Sequence, residues 1–79
     1  MLITSSVIEL IDKDFTAVGK YLADFSGVEV RGISKDMSRM LLIIETEDSE
    51  ILEKISEEIR KHHAIISLVH HSFYFDEGE

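Results

Sequence analysis

Hydrophobic and polar residues change their spacing along the chain, and these changes divide it into alternating segments. The segment Leu2–Ile11 is rich in β-branched residues and has Glu9 as its only charge, which predicts a strand covered over most of both faces. Asp12-Lys13-Asp14 interrupts this run. Apolar residues then recur every three or four positions, which predicts a helix with one buried face. The buried positions of that helix are Phe15, Val18, Leu22 and Phe25.

The ends of this first predicted helix carry typical capping residues. Asp14 is expected to be its N-cap, because a short side chain with an acceptor oxygen can bind the free backbone N–H groups there. Gly27 follows the last apolar residue and is expected to adopt the left-handed conformation without strain from a Cβ atom.

Two strands joined as a hairpin are predicted in the middle of the chain. Val28–Ile33 begins with alternating apolar and polar residues, which is typical of a half-buried strand. Arg39–Thr46 predicts a second, mostly apolar strand, and the short polar segment Ser34–Ser38 connects the two. The spacing favours a hairpin although no Asn-Gly or Asp-Gly marks the turn.

A second helix and a last strand complete the pattern. The helix is predicted from a cap at Asp48 or Ser49 to about Lys61, because its apolar residues again share one face. Ala64–Phe75 predicts the last strand, and residues 76–79 are expected to form a frayed acidic tail. The apolar stripe of the helix consists of Ile51, Leu52, Ile55 and Ile59.

The order β-α-β-β-α-β predicts an α+β fold of the ferredoxin-like class, as one domain over residues 1–79. In this arrangement two helices cover one face of a four-stranded antiparallel sheet and leave the other face open. The function then depends on what the open face binds.

The alternation of side chains along strands assigns residues to the two faces, because charged residues avoid the helix-sheet core. The residues predicted to point inward are Ser6, Ile8, Leu10, Val28, Val30, Met40, Leu42, Ile44, Ile66 and Leu68. The residues predicted to line the open face are Ser5, Val7, Glu9, Glu29, Leu41, Ile43, Glu45, Ser67, Val69 and His71. The last strand contains no charged residue that would indicate which of its side chains point outward.

The predicted open face has an apolar centre and carboxylates at its margin, which is typical of a contact surface. Its chemistry fits a short apolar or amphipathic peptide with a basic end, because carboxylates bind Arg and Lys. Self-association through the same apolar patch, as a homodimer, is the alternative.

The charge balance narrows the classes of partner. Eight Lys and Arg stand against 16 Asp and Glu, so the formal net charge is −8, which repels nucleic acids. There is no Cys, and the longest apolar run, residues 40–44, is far shorter than the roughly 20 residues of a membrane span. We therefore expect a cytoplasmic protein that does not insert into membranes.

Candidate metal and catalytic residues are few. His62-His63 and His70-His71 are the obvious metal ligands, but adjacent residues on a strand point to opposite faces, so each pair supplies at most one ligand. Phosphate-binding glycine motifs and a nucleophile elbow are absent from the sequence. We therefore expect a protein without catalytic activity, metal or cofactor.

Four segments stand in register along the chain: Ser5-Ser6-Val7-Ile8, residues 27–30, residues 42–48 and Ser67-Leu68-Val69-His70-His71. Together they resemble the NapD family, the cytoplasmic maturation chaperones of the periplasmic nitrate reductase. The resemblance implies a ferredoxin-like fold that binds the twin-arginine signal peptide of the catalytic subunit on its open face. It also implies that export is delayed until the cofactor of that subunit is inserted.

The sequence also departs from the pattern of this family. Arg31 stands where the family usually has His, and residues 34–38 lack the usual Gly. An alternative with the same element order is a small-ligand regulatory domain of the ACT type. Its ligand loop contains Gly, which the corresponding loop at Asp12–Asp14 lacks. A homodimeric assembly subunit is a third option.

Overall fold

A computed structural model describes residues 1–11 and 14–75 of the chain. The described elements are β1 (Leu2–Leu10), α1 (Phe15–Leu22), β2 (Val28–Ile33), β3 (Arg39–Thr46), α2 (Ser49–Arg60) and β4 (Ile65–Phe75). This order confirms the predicted β-α-β-β-α-β arrangement. The break predicted at Asp12-Lys13 and the acidic tail predicted at residues 76–79 lie outside the described residues.

The first helix is shorter than its apolar spacing predicts. It ends at Leu22, and the backbone N–H of Phe25 donates to the Leu22 carbonyl in a turn that follows. Phe25 still packs against the core, together with Phe15 and Tyr21. The spacing therefore identified the core contacts correctly but placed the end of the helix too late.

Four antiparallel strands form one sheet in the order β2-β3-β1-β4. The two central strands pair along almost their whole length, from Leu2 opposite Thr46 to Glu9 opposite Arg39. β2 and β3 form the predicted hairpin, and the turn between them contains Met37 with a positive φ of 62°. β2 and β4 are the edge strands.

Both helices pack against one face of this sheet. Inward-pointing residues of β1 and β3, such as Ile8, Leu42 and Ile44, are fully buried against Val18 of α1 and Ile59 of α2. Val28 and Val30 are half-buried and pack against the same core. The predicted inward positions of the first three strands are therefore confirmed.

The last strand corrects one inward assignment. Ile66 is 60% exposed, whereas Ile65 is buried. Leu10 pairs with Ile65 and Glu9 with Ser67, so Ile66 is the extra residue of a β-bulge. The prediction that Ile66 points inward was wrong, because an inserted residue shifts the alternation that the prediction assumed. Leu68 is buried, as predicted.

Gly27 has the left-handed backbone expected of it, with φ at 84°. Its position differs from the expected helix cap, because α1 ends five residues earlier, at Leu22. Gly27 lies instead against β3, where its carbonyl accepts the N–H of Glu45. A Cβ at this position would collide with the backbone carbonyl of Glu45, so a close approach of two backbones as well as the positive φ requires glycine.

Neither helix among the described residues has the length and apolarity needed to cross a lipid bilayer.

Candidate functional site

The sheet face opposite the helices carries the candidate site, and we call it the open face. It is organised in cross-strand rows, because each outward residue of β1 lies between one residue of β3 and one of β4. The rows are Glu45-Ile3-Tyr74, Ile43-Ser5-Ser72, Leu41-Val7-Val69 and Arg39-Glu9-Ser67. Glu29 of β2 extends the second row, beside Ile43.

An apolar band occupies the middle rows of the open face. Leu41 is 39% exposed and Val69 is 52% exposed, and Val7 between them is half-buried. Ile43, two residues from Leu41 along β3, is also half-buried. These four residues were predicted to form the apolar centre, and the structure places them side by side. Solvent therefore reaches a continuous apolar surface that the helices of the protein leave uncovered.

The open face is deepest near one end, around Arg39. Two shallow depressions, of about 490 and 240 Å³, share Val7, Arg39 and His71 in their linings. The larger one also includes Leu41 and Ile33, and the smaller one includes Val69. Both are open grooves, a shape that suits a peptide side chain lying across the sheet better than an enclosed small molecule.

The three predicted carboxylates differ in how they are neutralised. Glu9 lies 3.7 Å from Arg39 and also accepts a hydrogen bond of 3.1 Å from Ser67. Glu29 forms an ion pair of 3.1 Å with Arg31 on its own strand. Glu45 is exposed, and the structure shows no ion pair to it among the residues that it describes.

Four residues in the rows of the open face were not predicted: Ile3, Arg39, Ser72 and Tyr74. Ile3 has the same alternation as Ser5, so the sequence contained the signal for it. Tyr74 was hidden by a second bulge, because Ser5 pairs with Ser72 and Ser6 with His70, which leaves His71 without an opposing residue in β1. From Ser72 onward the outward positions are therefore even-numbered.

His70 lies on the opposite face of the sheet and connects three elements. Its Nδ1 lies 2.7 Å from Oγ of Ser6 in β1, and its Nε2 lies 3.1 Å from Oγ of Ser56 in α2. Ser56 donates its only hydroxyl proton to the carbonyl of Leu52 at 2.8 Å. Nε2 therefore donates to Ser56, and in the neutral ring Nδ1 accepts a hydrogen bond from Ser6.

Two physical causes favour this neutral form. Burial of the ring lowers the pKa of His70, and the positive charge of Arg60 lowers that pKa further. The ring and Arg60 also line a groove of about 350 Å³ between α2 and β4, together with Glu53, Glu57 and Phe73. His70 therefore stabilises the attachment of α2 to the sheet. Among the described residues, no three His, Cys, Asp or Glu side chains cluster as metal ligands.

Comparison with known proteins places this chain in a family. The family model for the NapD protein matches residues 1–77. The chain belongs to the NapD family. Its fold matches the solution structure of the E. coli Tat proofreading chaperone protein NapD with a TM-score of 0.76 and 22% sequence identity. The match covers 98% of this chain and 78% of the E. coli NapD chain. No curated protein matches the sequence significantly.

Proposed function

We propose that this NapD-family protein is a cytoplasmic chaperone that binds the twin-arginine signal peptide of a nitrate reductase subunit on its open face. Binding would delay export of that subunit until its cofactor has been inserted. The protein acts by binding rather than by catalysis, and it needs no cofactor of its own. E. coli NapD, whose fold it shares, is described as a Tat proofreading chaperone.

The observation that carries this proposal is the exposed apolar band bordered by carboxylates. Leu41 and Val69 are exposed to solvent, because both helices pack against the other face of the sheet. Covering roughly 300 Å² of apolar area contributes about 7 kcal/mol before the costs of association. A twin-arginine signal peptide supplies both an apolar segment for the band and a guanidinium pair for the carboxylates.

The proposed contact residues are those predicted for the open face, extended by Ile3 and Tyr74. The apolar segment would contact the band directly. Carboxylates beside it would favour peptides that carry a basic end over purely apolar ones, because a guanidinium forms charged hydrogen bonds there that an apolar end cannot form. The proposed contacts from the prediction are Ser5, Val7, Glu9, Glu29, Leu41, Ile43, Glu45, Ser67, Val69 and His71.

Calorimetric titration of the full chain with a synthetic twin-arginine peptide tests the proposal. The peptide is titrated a second time with both arginines replaced by Gln. We expect binding of the first peptide and clearly weaker binding of the second. Equal affinities would reject the role of the carboxylates, and no heat with either peptide would reject the chaperone function.

A matched pair of variants tests the site itself. Ile43→Asp places a charge in the middle of the apolar band, and we expect it to abolish peptide binding while the far-UV circular dichroism spectrum stays near wild type. Ile66→Asp makes the same change at an exposed isoleucine that lines neither depression of the open face, and it should bind like the wild type. Normal binding by Ile43→Asp would place the site elsewhere.

Sedimentation of the free protein distinguishes peptide binding on the open face from self-association through it. A chaperone with a vacant peptide site should stay monomeric at the concentrations of the titration. A dimer that Ile43→Asp dissociates would instead identify the open face as a homodimer interface.

A further inference from the structure

The two ends of the open face differ in charge. The row Glu45-Ile3-Tyr74 lies at one end, and the row Arg39-Glu9-Ser67 lies at the other. We call them the acidic end and the paired end. The strands β1 and β3 run between them, so the apolar band has a different electrostatic environment on each side.

The acidic end presents a carboxylate that forms no ion pair with any residue that the structure describes. Glu45 is exposed, and its backbone N–H donates to the carbonyl of Gly27, which lies just before β2 and has no side chain to cover the carboxylate. Tyr74, in the same row, is 63% exposed. A carboxylate and an accessible aromatic ring are the two protein groups that bind a guanidinium best, one through charged hydrogen bonds and the other through its π face.

The paired end is already neutralised. The Arg39 side chain lies 3.7 Å from the Glu9 carboxylate, and the Ser67 hydroxyl donates to that carboxylate at 3.1 Å. An incoming guanidinium would have to displace Arg39 and would meet its positive charge. The paired end is therefore the less favourable place for a basic group and a suitable neighbour for the apolar part of a ligand.

We infer that a twin-arginine signal peptide binds the open face in one direction, with its arginine pair at the acidic end and its apolar segment running toward Arg39. This inference rests on the proposed function. Glu45 would bind one arginine, and Tyr74 would stack against the other. The two side chains are two strands apart, about 9.5 Å, which leaves room for two guanidinium groups over Ile3.

The length of the face fits such a ligand. Glu45 and Arg39 are six residues apart on β3, which corresponds to about 20 Å along an extended strand. A helical segment with a rise of about 1.5 Å per residue would cover this distance with about 13 residues. The arginine pair and the start of an apolar segment are adjacent in a twin-arginine signal, so both fit on the face together.

A spin label on the peptide tests the direction with the wild-type protein. The label is attached next to the arginine pair, and the broadening of backbone amide signals is measured by NMR. We expect strong broadening at Ile3 and Tyr74 and little at Arg39 and Ser67. The reverse pattern, or equal broadening at both ends, would overturn the inferred direction while peptide binding itself, and so the proposed function, survives.

A double-mutant cycle tests the role of Glu45. Glu45→Gln should weaken binding of the twin-arginine peptide about 5- to 10-fold and leave binding of the Gln-Gln peptide unchanged. Glu53→Gln removes the same charge from the exposed side of α2 and should change neither affinity. Glu9→Gln should show weaker coupling to the arginine pair than Glu45→Gln does.

Two results of this cycle would contradict the inference. Stronger coupling of the arginine pair to Glu9 than to Glu45 would place the pair at the paired end. Equal weakening of both peptides by Glu45→Gln would show that Glu45 does not contact the arginines. If neither peptide binds the wild-type protein, the proposed function fails and the inferred direction fails with it.

Discussion

His70 is the residue whose surroundings most clearly determine its protonation state. The Ser56 hydroxyl donates its proton to the Leu52 carbonyl, so it can only accept from the Nε2–H of His70. In protonated His70 the Nδ1–H would also point at Ser6, and the Ser6 hydroxyl would have to direct its own proton away from the ring. The neighbouring Thr4 hydroxyl is itself buried without a partner among the described residues. The neutral ring is therefore the form that the packing accommodates.

This arrangement predicts that stability depends on pH. Burial and Arg60 hold the pKa of His70 in the folded protein below its ordinary value of 6.5. As pH falls through about 6.5, the unfolded chain takes up a proton that the folded protein does not, so the free energy of unfolding decreases. Below the folded pKa both states are protonated and the contribution of neutral His70 is lost. Urea denaturation of the wild type between about pH 7.5 and pH 5 measures this decrease in the free energy of unfolding.

Two histidine variants isolate the contribution of His70 to the pH profile. His70→Gln should be less stable at neutral pH and should show a shallower decrease on acidification. His63→Gln, at an exposed ring that stacks on His62, should keep the wild-type slope. A His70→Gln profile parallel to the wild type would mean that other groups cause the pH dependence.

At the scale of elements, the two helices begin with the same residue type but differ in capping. Asp48 has an extended backbone, and its carboxylate accepts the N–H of Ile51 at 2.9 Å. Asp14 stands at the same position of α1, but its side chain makes no capping hydrogen bond. Sequence alone predicts a cap at both positions, and only the local backbone distinguishes them.

This difference predicts unequal costs for the same substitution. Asp48→Ala should lower the free energy of unfolding by about 1 kcal/mol, because it leaves a helix N–H without its acceptor. Asp14→Ala should cost no more than about 0.3 kcal/mol, a value expected for an exposed residue without such a bond. Chemical denaturation of both variants provides the comparison, and a larger loss for Asp14→Ala would contradict the assigned caps.

At the scale of the whole molecule, the net charge of −8 acts on any approaching partner. If the proposed peptide is basic, long-range attraction should accelerate its association. We expect the association rate constant to fall about tenfold or more between low and high ionic strength, since salt screens this attraction. Stopped-flow fluorescence measures the rate constant. The association rate constant of the Gln-Gln peptide should depend much less on salt. An equal salt dependence for both peptides would contradict the proposed electrostatic attraction.

Much of the open face followed from sequence for a simple reason. In β1, β2 and β3 a charged residue marks one side of each strand, and regular alternation carries that information to Val7, Leu41 and Ile43. These strands pair without interruption over the relevant rows, except for one shift in β2 between Val30 and Gly32. The predicted apolar centre of the face depended on local pattern alone.

The sequence by itself determined the order of the elements, the composition of the core in the first three strands and the apolar character of the open face. The reason is that the spacing of apolar residues within each element indicates which of its faces is buried. Only the tertiary structure decided where β4 bulges, and therefore that Ile66 is exposed and Tyr74 joins the open face. It also decided that Arg39 neutralises Glu9, while Glu45 has no ion pair within residues 1–11 and 14–75. Bulges and ion pairs arise from the register between strands distant in sequence, and no local pattern contains that register.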